Sequence, residues 1–187
     1  MIKSKILKIY DFLEFSKIVL LKKIFGMNYI VKSLKSCRKS NIGKILSYYG
    51  ANIGNNIHFK GHLSIDNYSS DKGFFNLYID DNCYIGSEVY FDLANMIKIE
   101  RDVVIGARAT ITTHSDVGDR KMNIFYKRIS SSVTIKEGAW LGVNSVILTG
   151  VVINRFSIVG AGSIVLKDTN EYTMVAGNPA TFKKDIK

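Results

Sequence analysis

The stretch Ile135–Val165, IKEGAWLGVNSVILTGVVINRFSIVGAGSIV, decides the fold. Large aliphatic residues occupy every sixth position in it: Ile135, Leu141, Ile147, Ile153, Val159 and Val165. Two residues before each of the last five stands a small or modest side chain: Ala139, Ser145, Val151, Ser157 and Ser163. This period matches neither the 3.6 of an amphipathic helix nor the alternation of a plain strand. It fits a short strand followed by a turn, three such units making one rung of a triangular solenoid. The aliphatic residue then points inward from a flat wall, and the small residue points inward near a corner. In the same phase upstream lie Ile99, Ile105 and Ile111, then Ile79, Ile85 and Phe91, then Ile53, Phe59 and Ile65. The expected architecture is an all-β solenoid of about five rungs. With parallel rungs about 4.8 Å apart, it stands roughly 24 Å tall. Asn55-Asn56, Asp80-Asp81-Asn82, Gly138 and Asn144 supply turns, because Asn, Asp and Gly tolerate the left-handed region or bond their own backbone.

Three insertions break the phase: eight residues between Ile65 and Ile79, two between Phe91 and Ile99, and eighteen between Ile111 and Ile135. Insertions in a solenoid emerge as loops on its side, where binding residues concentrate. The longest, residues 112–134, opens on Thr112-Thr113-His114-Ser115-Asp116 and carries Arg120, Lys121, Phe125, Tyr126, Lys127 and Arg128. Function is expected at this loop.

Residues 1–50 read differently. Ile2, Ile6, Ile9, Leu13, Ser16 and Leu20 fall near helical spacing, which predicts a helical appendage broken at Gly26 and again before Asn41. This segment holds eleven basic side chains and two acidic ones, a net of +9 out of +10 for the chain. Residues 51–187 are balanced, so a nucleic-acid partner for the whole chain is excluded. The basic segment either caps the solenoid or contacts an anionic membrane. Cys37 and Cys83 are too few for a disulfide scaffold, which makes a reducing cytoplasm the expected location, peripheral at the membrane if the basic segment binds it. Cys83 occupies a small inward slot two before Ile85 and reads as core. The apolar run Ile18–Leu21 is too short for a signal segment or a membrane span.

Gly138-Ala139-Trp140-Leu141-Gly142, the run Val159–Val165, Val175-Ala176-Gly177-Asn178-Pro179-Ala180 and Thr113-His114-Ser115-Asp116 together resemble the hexapeptide-repeat acyltransferases, in particular bacterial sugar and polysaccharide O-acetyltransferases. The resemblance covers about residues 51–182, leaving 183–187 as a basic tail. It implies a left-handed parallel β-helix, a hand that general crossover physics would not have chosen. It also implies a homotrimer with acetyl-CoA in a cleft between neighbouring prisms, and no metal. In such a family the His opening the extruded loop is the general base, and His114 matches that position. A sugar hydroxyl is a poor nucleophile near neutral pH, and an imidazole can take its proton during attack. Thioester attack also needs donors for the developing oxyanion, and a backbone amide near Gly142–Val143 matches the family there. The remaining cofactor positions by resemblance are Trp140, Gly160, Ala161, Lys167 and Lys183. Strand parity turns Trp140 outward, as a wall for the thioester arm or as a subunit contact. Asp92 and Asn95, in the stretch of the two-residue insertion, orient the base, bind sugar hydroxyls or simply form turns. Asp116 is a further candidate for orienting His114.

The expected function is acetyl-CoA-dependent O-acetylation of a sugar hydroxyl, in surface-polysaccharide biosynthesis, by direct transfer. The alternatives are N-acetylation of a nucleotide-linked amino sugar, a zinc-dependent carbonic-anhydrase-like prism using His58, His62 and His114, or a non-catalytic trimeric scaffold.

Overall fold

The computed structural model describes residues 2–187, with side chains from residue 5 onward. Residues 52–165 wind into a three-walled prism of short parallel strands. Ladder register follows the period of six. Ile53 pairs with Ile79, Ile79 with Ile99, Ile99 with Ile135 and Ile135 with Ile153, forming the inner column of the first wall. The second wall stacks Phe59, Ile85, Ile105, Leu141 and Val159, and the third stacks Ile65, Phe91, Ile111, Ile147 and Val165. Apart from the half-buried Ile53, these side chains are buried, as are the small slots Ala139, Ser145, Val151, Ser157 and Ser163. Each such aliphatic residue contributes about 1.5–3 kcal/mol by leaving water. The repeat is therefore also the core.

The walls meet at corners that demand the left-handed conformation. Three residues after each inward aliphatic of the first wall, φ is positive, at Asn56, Asn82, Asp102, Gly138 and Phe156. The corner after the second wall repeats this at Glu88, Arg108, Asn144 and Gly162. Asn, Asp and Gly suit the position. Glu88, Arg108 and Phe156 adopt it because the rungs above and below fix the path, and only the column of corners makes that legible.

Two features differ from the expected five rungs. The second wall continues with Thr173–Gly177, pairing Val159 with Val175, and the chain then turns back so that Ala180–Asp185 adds antiparallel to that strand. The expected boundary at residue 182 thus cuts a strand, and Lys183 belongs to a closing hairpin. The turn between the two strands carries a cis Asn178–Pro179 bond.

At the other end, α1 (Ile2–Ser33) is interrupted at Gly26, whose φ of 67° and ψ of −167° are non-helical, and α2 (Lys39–Tyr48) follows. Ile18, Met27, Ile30, Leu34, Ile42, Ile45 and Leu46 are buried in one cluster with the prism core. Gly43 brings α2 so near Phe59 that an added Cβ would lie 3.2 Å from its ring. Arg38 ties the two helices, its Nε 2.5 Å from Asp11 Oδ1. The N-terminal segment caps the first rung.

Candidate active site

All three insertions leave the prism at the same corner, between the third wall and the first. The third-wall strands Leu63–Asp66 and Val89–Asp92 place Asp66 and Asp92 one above the other there. The chain leaving Thr110–Ile111 passes over Asp92 as Thr113 and His114, so this polar corner is built by stacking.

Asp92 is 1% exposed. Its Oδ1 accepts from Asn67 Nδ2 at 2.8 Å and from Ala94 N at 3.2 Å. Its Oδ2 accepts from Thr113 N at 2.8 Å, His114 N at 3.1 Å and His114 Nδ1 at 2.6 Å. Burial by itself would raise its pKa, but the bonds from His114, Thr113, Ala94 and Asn67 outweigh that and hold the carboxyl below its ordinary value. An ionised carboxylate only accepts, so Nδ1 of His114 carries the proton. That leaves Nε2, which has no hydrogen-bond partner among the described residues, as the ring's basic nitrogen. The half-buried imidazole is held by its other side and offers a lone pair at the loop mouth.

The loop is pinned as firmly. Thr113 is buried and donates its hydroxyl to Asp92 O at 2.7 Å. Its carbonyl accepts from Ser131 N, Ser130 Oγ and Thr149 Oγ1. His114–Ser115 pairs antiparallel with Ile129–Ser130, and a 3-10 turn at Lys121–Ile124 carries the exposed Met122, Ile124 and Phe125.

Three expected residues near the base find different places. Of the readings open for Asp92, its geometry fits orienting the base, because five donors, His114 Nδ1 among them, surround its two oxygens. Asp116 does not orient His114: it binds Arg128 Nη1 at 2.6 Å and caps Gly118 N at 3.1 Å. Asn95 N donates to Thr113 Oγ1 at 2.8 Å, and its side chain reaches Ser130 Oγ at 3.3 Å and its own neighbour Met96 N at 2.8 Å, so it braces the loop base. Asn67 and Thr113 were not singled out as supports. Thr113 lies within the quoted Thr-His-Ser-Asp block, whereas Asn67 sits in an insertion whose return path no local pattern gives.

Apart from Lys167, which follows the third-wall strand Ile164–Val165, the expected cofactor residues gather elsewhere, on the second wall and the corner it shares with the third. Trp140 points outward, 51% exposed, in the column Trp140–Ile158–Met174. A Cβ on Gly142 would lie 2.5 Å from Ala161 N, and one on Gly160 would lie 2.7 Å from Ala176 Cβ. Both glycines are thus required by rung stacking. Val143 is exposed at the same corner. Lys167 and Lys183 lie toward the closing end and form no ion pair among the described residues; Lys183 donates to Thr181 Oγ1 at 3.1 Å. An outward apolar ring, an exposed corner of small residues and two uncommitted cations suit a thioester arm ending in phosphates. None of these residues bonds to His114 within one chain.

Both thiols are buried, and burial pushes Cys37 and Cys83 up to about 11, which removes them as nucleophiles. Among the described residues no three His, Cys, Asp or Glu side chains are placed to share a metal ion.

The chain matches the hexapeptide repeat of succinyl-transferase over residues 96–119 and 132–167. It is 28% identical over 182 residues to a putative lipopolysaccharide biosynthesis O-acetyl transferase of Escherichia coli, covering 92% of this chain and 87% of that protein. Over 49 residues it is 47% identical to a dTDP-3-amino-3,6-dideoxy-alpha-D-galactopyranose 3-N-acetyltransferase of Aneurinibacillus thermoaerophilus, 26% of each chain. It spans less than two thirds of two curated relatives, 64% of one and 26% of the other. Among solved structures it resembles a hexapeptide-repeat-containing acetyltransferase of Vibrio cholerae with a TM-score of 0.75 at 22% identity, over 91% of this chain and 93% of that one. By its repeats, their stacking and these likenesses, the chain is similar to hexapeptide-repeat acetyltransferases and has their left-handed parallel β-helix fold.

Proposed function

We propose that the protein transfers an acetyl group from acetyl-CoA to a sugar hydroxyl, with His114 as general base, in a site assembled between subunits of a homotrimer. The observation that carries this reading is the His114–Asp92 couple, in which one ring nitrogen is committed to a buried carboxylate and the other is left to the loop mouth. His114 Nε2 takes the proton of the acceptor hydroxyl as its oxygen attacks. Asp92 keeps the ring in the right tautomer and stabilises the imidazolium that results, without being protonated itself. Acetyl-CoA, when bound, supplies an activated acyl group. Trp140, Val143 and Ala161 would line its arm, with Lys167 and Lys183 near its phosphates, and a backbone amide at Gly142–Val143 would face the developing negative charge.

The trimer is supported by the separation of the two half-sites. Within one chain His114 stands on the third-to-first corner, while Trp140 and Ala161 stand on the second wall and its far corner. Three copies packed side by side bring the one against the other. The polysaccharide role is supported by the Escherichia coli relative, which spans nearly the whole chain. The 49-residue match to a nucleotide-sugar N-acetyltransferase favours a second reading, an amino-group acceptor. An acceptor screen separates them: free CoA release is measured against sugars, oligosaccharide fragments and nucleotide-linked amino sugars. Stimulation by hydroxyl acceptors supports the first reading and stimulation only by amino sugars the second. No stimulation by any acceptor removes both.

A further inference from the structure

α1 has a second face that the cap does not use. Toward the rest of the molecule it sends the buried Ile18, with Asp11, Glu14 and Phe15 half-buried beside it. On the opposite side Ile6, Ile9, Leu13, Leu20 and Ile24 follow one another at helical spacing and all stand exposed, Leu13 at 56%, Leu20 at 60% and Ile24 at 71%. Lys5, Lys17 and Lys23 border this stripe, and all three are exposed.

The acidic charge of the helix lies on the cap side, and three of its lysines border the outer stripe. Its acidic residues, Asp11 and Glu14, are both spent on the cap. Asp11 pairs with Arg38, and Glu14 Oε2 accepts from Arg38 N at 3.0 Å and Asn41 Nδ2 at 2.7 Å. None of Lys5, Lys8, Lys17, Lys22 and Lys23 makes an ion pair among the described residues. The outer face therefore combines apolar side chains with positive charge alone.

We infer that this face of α1 docks the protein flat on an anionic lipid bilayer. No described helix is long and apolar enough to cross a membrane. Residues 5–25 form an amphipathic rod about 30 Å long that can lie in the interface. Ile9, Leu13, Leu20 and Ile24 enter the headgroup–acyl boundary. Lys5, Lys17 and Lys23 keep their stems along the apolar surface and reach lipid phosphates with their ammonium groups. Charge decides against a second copy of the chain as the occupant, because two such faces would set lysines against lysines with no carboxylate between them. Capping and membrane binding are then simultaneous properties of one helix, using opposite sides. The inference does not depend on the acyl-transfer reading.

The test is co-sedimentation of the full chain with vesicles of phosphatidylcholine alone or mixed with phosphatidylglycerol. The protein should pellet with the anionic vesicles at about 0.1 M salt, stay in solution with the neutral ones, and be released as salt rises. The triple variant Lys5→Glu/Lys17→Glu/Lys23→Glu should bind the anionic vesicles about tenfold or more weakly. The double variant Leu13→Gln/Leu20→Gln should also lose binding, with circular dichroism and subunit number unchanged. Failure of the unaltered protein to bind, or equal binding to both vesicle types, overturns the inference. So does a smaller subunit number for the Leu13/Leu20 variant, which would make the face a subunit contact.

Discussion

Asp92 gathers five donors around two oxygens, and nearly everything at the loop mouth hangs from it. Its lowered pKa has a stability consequence with a definite sign. The carboxylate's contribution is fully present above the unfolded value of about 4 and is lost as pH falls through the lower folded value. Asp92→Asn should therefore flatten the acid limb of a Tm-against-pH curve below about pH 4. It should also lower Tm at neutral pH by leaving amide hydrogens against Thr113 N and His114 N, a loss of about 1–3 kcal/mol. Because Asp92 acts through His114, the same variant should cut kcat by about tenfold or more and change the pH–rate profile, with a smaller effect on KM. The cysteines give an independent check at this scale. Both are buried and pushed up to about 11, so a thiol-reactive dye should label neither rapidly in the native protein and both after denaturation. The place of His114 at the opening of the long insertion and the burial of Cys83 in the inward slot were legible in the sequence. The roles of Asp92 and Asp116 were not separable there, since only the crossing of two rungs decides which carboxylate lies beneath the ring.

At the scale of the element, the corner explains glycines that sequence leaves ambiguous. Gly142 could serve ligand approach or stacking, and the added Cβ falling 2.5 Å from Ala161 N assigns it to stacking. Gly142→Ala should cost about 1–3 kcal/mol, because the obstruction is backbone and cannot rotate away. In a chain of this size that lowers Tm by about 2–4 °C per kcal/mol in a thermal melt. A Tm equal to that of the unaltered protein would show that the corner yields. The inner columns were readable in advance because each wall position repeats every six residues, so one phase error would have shown at once. The closing hairpin was not. After Val165 the chain passes the first wall without forming a strand, Thr169 N reaching Val152 O and Asp168 Oδ1 accepting from Val152 N, and re-enters the second wall at Thr173. That detour has no period to betray it. The helical breaks at Gly26 and before Asn41 were visible from glycine and helix-start residues, but the burial of Ile30, Leu34 and Ile45 against the first rung needed the fold.

For the whole molecule, the two proposed half-sites lie on different corners, and on that reading one chain alone should not complete the reaction. The protein should sediment as a trimer of three 21.0 kDa chains, and dilution that dissociates it should abolish transfer along with assembly. The +9 charge of residues 1–50 takes no part in that chemistry. Both acidic residues of the segment are half-buried against the cap, while Lys5, Lys17 and Lys23 border the exposed apolar stripe proposed to face the membrane. The central claim is that His114, held by Asp92, is the base for acyl transfer. Its most direct test is the rate of CoA release with a productive acceptor, compared between the unaltered protein and His114→Ala at equal assembly and equal acetyl-CoA affinity. The account predicts a loss of about 10²- to 10⁴-fold in kcat. A variant that retains transfer within a few-fold of the unaltered rate would contradict it.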